Sequence, residues 1–238
     1  MSNPSGDAVG GPNFEFQALR EARNYRAALL AEFSPHIHGR VLEVGAGIGQ
    51  ITALLRRLSA VEYLLAVEPD PAFCRTLRLA LPDQPLIQGT AATVRAPAPW
   101  HTIVSINVLE HLRDDAAELA VFAQLLRAQN GALCLLVPAR PEIFAPIDED
   151  FGHFRRYTKA DLRRRLEAAG FRVLRLHYFN FAGYFGWWLN FRFLGQRTFK
   201  PTTVRLFDRL IFPWAHGLET RVCRPPIGQS LMAVASAR

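Results

Sequence analysis

The chain has few cysteines, and their spacing fits neither a metal site nor a disulfide framework. Its three cysteines, Cys74, Cys134 and Cys223, are far apart and lie in apolar stretches, which is typical of buried free thiols. Free thiols suit a reducing compartment, so we expect a cytoplasmic protein. Residues 1–13 lack the basic and apolar stretches of a signal peptide, and their glycine, proline and serine predict a disordered tail.

Acidic residues are scarce in the last third of the chain. Residues 1–150 hold 12 Arg and Lys against 17 Asp and Glu, a net charge of −5, whereas residues 151–238 hold 16 against 4, a net charge of +12. A basic segment of this kind predicts an anionic contact, either a phosphate or carboxylate ligand or a membrane surface. A solvated arginine-rich face without a partner is the alternative.

Apolar stretches that read as strands alternate with helical stretches over most of the chain. This alternation predicts an α/β fold with a parallel sheet covered on both faces. The predicted strands are Arg40–Val44, Tyr63–Val67, Leu86–Gln88, Trp100–Ile106, Gly131–Val137, Phe171–Tyr178 and Gln229–Ser236.

Helices are predicted between these strands, and they divide the chain into five parts. The predicted helices are Phe14–Phe33, Gln50–Leu58, Pro71–Leu81, Asp114–Leu126 and one that Thr158 caps and Gly170 ends. The parts are the tail of residues 1–13, an N-terminal helical cap of residues 14–39, a core of residues 40–178, an aromatic and basic insertion of residues 179–226, and a last core strand in residues 227–238.

The first predicted strand runs directly into a glycine-rich turn. Gly45, Gly47 and Gly49 follow it, and without Cβ atoms they let the backbone turn tightly and a ligand approach it closely. The helix that follows would point its free N–H groups at that ligand. A nucleotide-type site at the end of the first strand is therefore predicted.

A carboxylate, Glu68, ends the second predicted strand about twenty residues after these glycines. At that position a carboxylate can accept both hydroxyl protons of a ribose. The alternative is that Glu68 belongs to the N-terminal region of the next helix.

Three stretches in this order resemble the class I S-adenosylmethionine-dependent methyltransferases: Val41–Gly49, with Glu43 two residues before the first glycine, then Val67–Pro69, then Asn107–Leu112. The resemblance implies a Rossmann-like seven-stranded sheet of order 3-2-1-4-5-7-6 with its last strand antiparallel. It also implies S-adenosylmethionine as the methyl donor and S-adenosylhomocysteine as the product.

The resemblance further implies roles for single residues. Glu43 would meet the methionine amino group, Glu68 the ribose hydroxyls, and Asn107 and Val108 would lie beside the methionine. The family often carries an acid after strand three for the adenine amino group, whereas this chain offers only the hydroxyl of Thr90 there, so we expect a weaker contact or one made by backbone. The other cofactor residues implied are Gly45, Ala46, Gly47, Gly49, Pro69 and Ala91.

The stretch Ala145–Tyr157 is predicted to be a polar loop, and its end resembles a subset of the family with a G-H-x-R-R-Y-T segment. Many enzymes of that subset act on small molecules or in glycan- and lipid-linked pathways. An acceptor hydroxyl or acidic carbon needs a general base, for which histidine is suited. We favour His153, oriented by Asp148, over His111, for which a structural role is preferred. The alternative for His153 is that it fastens the loop by hydrogen bonds.

Tyr157 is a further predicted catalytic residue. The other candidates are predicted to bind the substrate. Arg155 and Arg156 could clamp an anionic substrate, or pair instead with the acids of residues 148–150. Tyr184 and Trp187 are predicted to contact the substrate. We predict no metal, because Glu110 and His111 with scattered acids are poor support for a site.

The insertion leaves three alternatives open. Its stretch of residues 178–194 is too short and too polar for a transmembrane helix. Its Phe, Trp and Arg residues suit a lid that is mainly internal core, a lid lining an apolar pocket, or contact with a membrane surface.

The leading hypothesis is a cytoplasmic methyltransferase for a small hydrophobic or anionic molecule, of the kind found in secondary metabolism, with oxygen favoured as acceptor and carbon or nitrogen open. The first alternative is a methyltransferase for a lipid- or glycan-linked substrate at the membrane face. The second is a protein of this fold that binds the cofactor without catalysis. No nucleic-acid partner is expected, because Asn107–Glu110 does not match the strand-four motif of base methyltransferases. The oligomeric state is left open.

Overall fold

The chain folds around one seven-stranded sheet. The computed structural model describes residues 20–95, 99–222 and 224–238, and its strands lie in the order β3-β2-β1-β4-β5-β7-β6. Neighbours from β3 to β5 are parallel, whereas β7 runs antiparallel to both β5 and β6. This order and the antiparallel last strand confirm the predicted topology. The strands are β1 Gly39–Val44, β2 Val61–Glu68, β3 Leu86–Gln88, β4 Thr102–Ile106, β5 Ala132–Pro138, β6 Phe171–Phe179 and β7 Ser230–Ala237.

Helices cover both faces of this sheet and fill the insertion. The α-helices are Arg23–Phe33, Thr52–Leu55, Pro71–Ala80, Asp115–Leu126, Pro146–Asp150, Lys159–Ala168, Phe181–Trp187, Pro201–Leu206 and Phe212–Arg221, and π-helical turns span Trp188–Phe193 and Phe207–Ile211. The helix after the glycine turn is shorter than the predicted Gln50–Leu58. The predicted tail, the start of the first predicted helix and Cys223 lie outside the described residues, while Cys74 and Cys134 are buried and free.

The predicted polar loop of Ala145–Tyr157 contains a short helix, so that prediction is wrong in its first half. Pro146 stands at the start of the helix Pro146–Asp150, where its fixed φ is favourable and its missing N–H costs nothing. The Asp148 carboxylate accepts a hydrogen bond from the Ala145 backbone N–H at 2.9 Å. Asp148 is therefore buried, where a polar loop would leave it in solvent.

The sheet separates two apolar cores because successive strand residues face opposite sides. Leu42, Ile103 and Leu135 point into a core formed with the helices Asp115–Leu126 and Lys159–Ala168. Their neighbours Val41, Val104 and Leu136 point into a second core with the helix Arg23–Phe33. Burial on both faces fixes the central strands, and with them the positions at which those strands end.

The carboxyl ends of the parallel strands meet at one edge of the sheet. Val44, Glu68, Ile106 and Pro138 end β1, β2, β4 and β5 respectively. In open parallel sheets, ligands bind in the crevice outside these strand ends. The residues just after the strands are therefore the ones to examine for a site.

The insertion leaves the sheet after β6 and returns at β7, although these two strands are neighbours and pair at Phe179 and Ser230. Its base is tied by Asn180, whose side-chain amide donates to Gln229 Oε1 at 2.7 Å and whose Oδ1 accepts from the Gly183 N–H at 2.9 Å. Within the described residues, none of the helices combines the length and apolarity needed to cross a membrane.

Candidate active site

The glycine turn lies against the end of β4. Gly45 has a φ of 75°, a left-handed conformation that favours glycine. A Cβ at this position would lie 2.3 Å from Val108 Cγ2. The N–H groups of Gly45 and Ala46 donate to the Val67 carbonyl at 2.9 and 3.1 Å. The turn is therefore fixed between β2 and β4, with no room for a larger side chain.

Glu43 lies buried beneath this turn. Its Oε2 atom has no hydrogen-bond partner among the described residues. Burial raises the pKa of Glu43 to about 8, with Thr52 acting in the opposite direction and the nearby Glu68 adding to the rise. A buried carboxylate without a full set of partners is costly, so this position is suited to a cationic ligand group.

Glu68 is held in place by two backbone groups at the end of β2. Its Oε2 accepts from the Gly47 N–H at 2.8 Å and its Oε1 from the Asp70 N–H at 2.9 Å. Burial raises the pKa of Glu68, and these two hydrogen bonds oppose the rise. The glycine turn thus positions the second carboxylate of the site.

Both carboxylates line a cavity of about 350 Å³, here called the glycine-turn cavity. Cavities of this size accept small ligands and cofactors. Of the predicted residues, those that line it are Glu43, Gly45, Ala46, Glu68, Pro69, Asn107, Val108 and His111.

Some lining residues of this cavity were not assigned from the sequence. Tyr25 and Arg26 reach it from the N-terminal helix, with Arg26 Nη1 donating to Gln50 Oε1 at 3.1 Å. Asp70 also lines the cavity and caps the next helix by accepting from the Ala72 N–H at 2.6 Å. The Asp-Pro pair at the start of that helix was a signal that could have pointed to Asp70.

Thr90 and Ala91 are not among the residues that line the glycine-turn cavity, and the predicted adenine contact at these two positions stays a prediction. β3 has only three residues, and the chain then enters a 3₁₀ turn at Ala91–Thr93. That turn buries Ala91 in the core, and the Thr90 carbonyl accepts from the Thr93 hydroxyl at 2.7 Å.

A second cavity of about 340 Å³ adjoins the first, and we call it the insertion cavity. Tyr25, Asn107 and Phe151 line both cavities. Asn107 has a φ of 54°, an uncommon conformation outside glycine that recurs at functional positions. The insertion supplies most of the remaining wall, including Trp187 and Phe191.

His153 lines the insertion cavity and is joined to Asp148. His153 Nδ1 lies 3.0 Å from Asp148 Oδ1. Arg156 also reaches that oxygen, with Nε at 3.0 Å and Nη2 at 2.8 Å. Interactions with His153 and Arg156 lower the pKa of Asp148 against the effect of burial. Because an ionised carboxylate can only accept, His153 Nδ1 is the donor in this hydrogen bond, which leaves Nε2 as the nitrogen that can take up a proton.

Glu110 and His111 complete a cluster with His153 at the junction of the cavities. The two imidazole rings lie 4.7 Å apart, edge to face. One ligand atom from each of the three residues lies within 4.8 Å of the others, so together they could hold a metal ion. Burial and the neighbouring His153 lower the pKa of His111 to about 4, which keeps His111 neutral. The prediction of no metal stays a prediction.

Neither cavity is lined by Tyr157, Arg155 or Tyr184. Tyr157 is fully buried, and its hydroxyl donates to Asp115 Oδ2 at 2.7 Å, which together with burial raises its pKa. Arg155 pairs with the same Asp115 at 3.1 Å. Tyr184 packs beside the apolar cluster around Trp187. Their positions give them structural contacts, and we assign them no chemistry.

Both arginines form internal ion pairs, but only Arg156 pairs with one of the predicted acids. Arg156 lies against the insertion cavity, but its guanidinium is committed to Asp148 and lies 4.4 Å over the Trp187 ring. Arg155 binds Asp115, outside the predicted acids of residues 148–150.

Comparison with known families matches this chain to a methyltransferase domain. The profile of a family described as a methyltransferase domain matches residues 17–176, which is more than half of the chain. Comparison with curated proteins finds no match.

Solved structures share the fold over almost the whole chain. An S-adenosylmethionine-dependent methyltransferase from Mesorhizobium loti is 17% identical, with a TM-score of 0.60, over 91% of this chain and 99% of that one. A chain from the complex of the Haloferax volcanii Trm112 methyltransferase activator with a putative methyltransferase is 14% identical, with a TM-score of 0.61, over 94% and 95%. A putative methyltransferase from Bacillus halodurans is 18% identical, with a TM-score of 0.57, over 89% and 97%. At these identities the likeness establishes the fold.

Proposed function

The chain belongs to the methyltransferase domain family, and we propose that it transfers a methyl group from S-adenosylmethionine in the glycine-turn cavity to an acceptor in the insertion cavity. The observation that carries this proposal is the adjoining arrangement of the two cavities, which share Tyr25, Asn107 and Phe151. Methyl transfer needs a donor and an acceptor held next to each other, with water excluded between them.

The residues of the glycine-turn cavity fit the cofactor. S-adenosylmethionine carries a cationic amino group, and the buried Oε2 of Glu43 offers it an acceptor without another partner among the described residues. Its ribose carries two hydroxyls, which the fixed carboxylate of Glu68 can accept. Its sulfonium supplies an electrophilic methyl group when bound.

The residues of the insertion cavity favour a small, largely apolar acceptor. Trp187, Phe191 and Phe199 contribute aromatic surface, while the charge of Arg156 is balanced by Asp148. An anionic acceptor would have Lys200 as its cation on this wall. We infer a hydroxyl as the acceptor group, with carbon or nitrogen as alternatives.

His153 serves as the general base in this proposal. Its Nδ1 donates to Asp148, which fixes the ring, and its Nε2 takes the proton of the acceptor hydroxyl as the methyl group is transferred. Asp148 acts as a positioning residue, since its carboxylate holds the imidazole and favours its protonated form.

Isothermal calorimetry with S-adenosylmethionine and S-adenosylhomocysteine tests the cofactor part of the proposal. We expect the wild type to bind both and Gly47→Arg to bind neither, because an arginine at this positive-φ position fills the turn. Gly217→Arg is the matched control, since a Cβ at Gly217 meets nothing within 4 Å.

Absence of binding in the wild type would overturn the proposed function as a whole. Binding without methylation of a panel of phenols, carboxylic acids and amines would favour the non-catalytic alternative. Both ligands are defined compounds, so the binding result does not depend on knowing the natural acceptor.

A further inference from the structure

The last long helical segment of the insertion, residues 201–222, buries its acids and exposes most of its large apolar side chains. Asp208 is 2% exposed, and its carboxylate accepts from the backbone N–H groups of Asn24 and Tyr25, both at 2.9 Å. Glu219 is also buried and accepts from the backbone N–H groups of Asn180 and Phe181. Both acids cap other helices, so these polar contacts determine which face of the segment turns toward the rest of the protein.

The opposite face carries one continuous apolar row. Its members follow one another at every fourth position, which makes each a neighbour of the next on a helix surface. They are between 58 and 80% exposed. We call this set the apolar row: Leu206, Leu210, Trp214, Leu218 and Val222.

Arginines stand directly beside the apolar row. Arg205, Arg209 and Arg221 each precede one of its members by one residue and are exposed. Arg205 pairs with Glu21 at 2.6 Å, whereas Arg209 and Arg221 form no ion pair within the described part of the chain. Since Asp208 and Glu219 are buried, every exposed charge on this segment is positive.

The helix Phe181–Trp187 and the π-helical turn after it repeat this arrangement. Phe185, Leu189 and Phe193 are exposed at intervals of four, and Trp188 stacks on Phe193 with the ring centroids 5.6 Å apart. Arg192 is exposed among them. The inner faces of both segments line the insertion cavity, so these apolar side chains lie on its outer wall.

We propose that this outer wall docks on the surface of an anionic lipid bilayer. A helix with leucine and tryptophan on one side and arginine beside them lies in the plane of a membrane interface, with its apolar side chains among the acyl chains and its cations at the headgroups. Trp188 and Trp214 suit this boundary because the indole joins an apolar ring to a polar N–H group.

The charge of the wall favours a bilayer over a second copy of the chain. In a two-fold dimer the same surface meets itself, which would bring the arginines beside the apolar row close to their own copies. Anionic headgroups neutralise the same arginines instead. The proposal goes beyond methyl transfer and does not depend on it.

Vesicle flotation tests the proposal with the full-length protein. We expect the protein to float with vesicles of phosphatidylcholine and phosphatidylglycerol, more weakly with phosphatidylcholine alone, and less at high salt. The double variant Leu210→Glu/Trp214→Glu should lower the partition coefficient by about tenfold or more, because two apolar anchors are lost and two anions are added.

Two further variants control this experiment. Leu79→Glu places the same charge at a leucine that is 86% exposed on the helix Pro71–Ala80, and it should float like the wild type. Arg209→Gln/Arg221→Gln should weaken binding to the anionic vesicles only and reduce its dependence on salt.

Failure of the wild type to float, or equal flotation of the wild type and Leu210→Glu/Trp214→Glu, would overturn the proposal. A dimer in analytical ultracentrifugation that this variant dissociates, without any vesicle binding, would assign the wall to a second copy instead. Calorimetry with S-adenosylmethionine on the same variants distinguishes failure of this proposal from failure of the proposed function. Substitutions on the outer wall should leave cofactor binding unchanged.

Discussion

The buried carboxyl of Glu43 makes cofactor binding depend on pH in a way that one substitution should remove. In the free protein, burial raises the pKa of Glu43 to about 8, so at pH 7 about 0.9 of the molecules carry a proton there. Pairing with the cationic amino group of S-adenosylmethionine requires the ionised form. Binding at pH 7 should therefore release close to one proton, and Glu43→Gln should release none from this position.

The magnitude follows from the same pKa. Below about pH 8, each unit by which the pH is lowered makes the ionisation of Glu43 less favourable by about 1.4 kcal/mol. The affinity for S-adenosylmethionine should therefore fall by about tenfold per pH unit. The useful range is about pH 5.5 to 7.5, where an α-amino group of pKa near 8 remains mostly charged. Calorimetry in buffers of different ionisation enthalpy measures both the proton release and the affinity.

The stability of the free protein gives an independent check with a defined sign. Because the pKa of Glu43 in the folded state lies above the ordinary 4.5, its contribution is fully present below pH 4.5 and is lost as the pH rises through about 8. The melting temperature of the wild type should therefore fall relative to that of Glu43→Gln as the pH rises across this range.

Two results would refute this reasoning. One is the same proton release from wild type and Glu43→Gln, and the other is an affinity that does not change between pH 5.5 and 7.5. Glu118→Gln is the control, because burial also raises the pKa of Glu118 but this residue lines neither cavity.

The other predictions concern the base and the insertion. His153→Ala should lower kcat by about a hundredfold or more and change the affinity for S-adenosylmethionine little. An unchanged kcat would show that His153 is not the base. Loss of activity in EDTA that Mn²⁺ restores would instead assign the histidine to a cation site. Asp208→Ala leaves two backbone N–H groups without their acceptor and should cost about 1–3 kcal/mol in urea unfolding, whereas the exposed Asp83→Ala should cost nothing measurable. A loss below 0.5 kcal/mol for Asp208→Ala would show that this contact contributes little.

The strand order was predictable through the family resemblance, whereas the location of the carboxylates of the glycine-turn cavity depends on local patterns. A glycine turn directly after a buried strand lies at the edge of the sheet where that strand ends. In a parallel sheet, β1, β2 and β4 end at this same edge. Glu43, Glu68 and Asn107 are fixed by these strand ends. Their positions follow from the chain within a few residues on either side.

Other parts of the site depend on contacts between distant parts of the chain. Tyr25 reaches both cavities because Asp208, 183 residues away, accepts from its backbone N–H, and no local pattern records such a pairing. Tyr157 stands next to residues of the insertion cavity in sequence, yet its ring turns into the core to meet Asp115. The position of Thr90 depends on the direction that the chain takes after β3, an edge strand of three residues. The hydrophobic pattern of the sequence does not specify that direction.

The last long segment of the insertion joins the proposed membrane contact to the proposed chemistry. On its inner face, Asp208 holds the helix that carries Tyr25 into the wall between the two cavities. On its outer face, Leu210 and Trp214 belong to the apolar row. An ordinary surface helix would reverse these faces, with its acids in water and its leucines in the core. This segment instead uses buried carboxylates to cap neighbouring helices, and under the membrane proposal its exposed leucines and Trp214 would enter the bilayer. In the proposed arrangement, an apolar acceptor held in the bilayer would meet the protein at the wall of the insertion cavity.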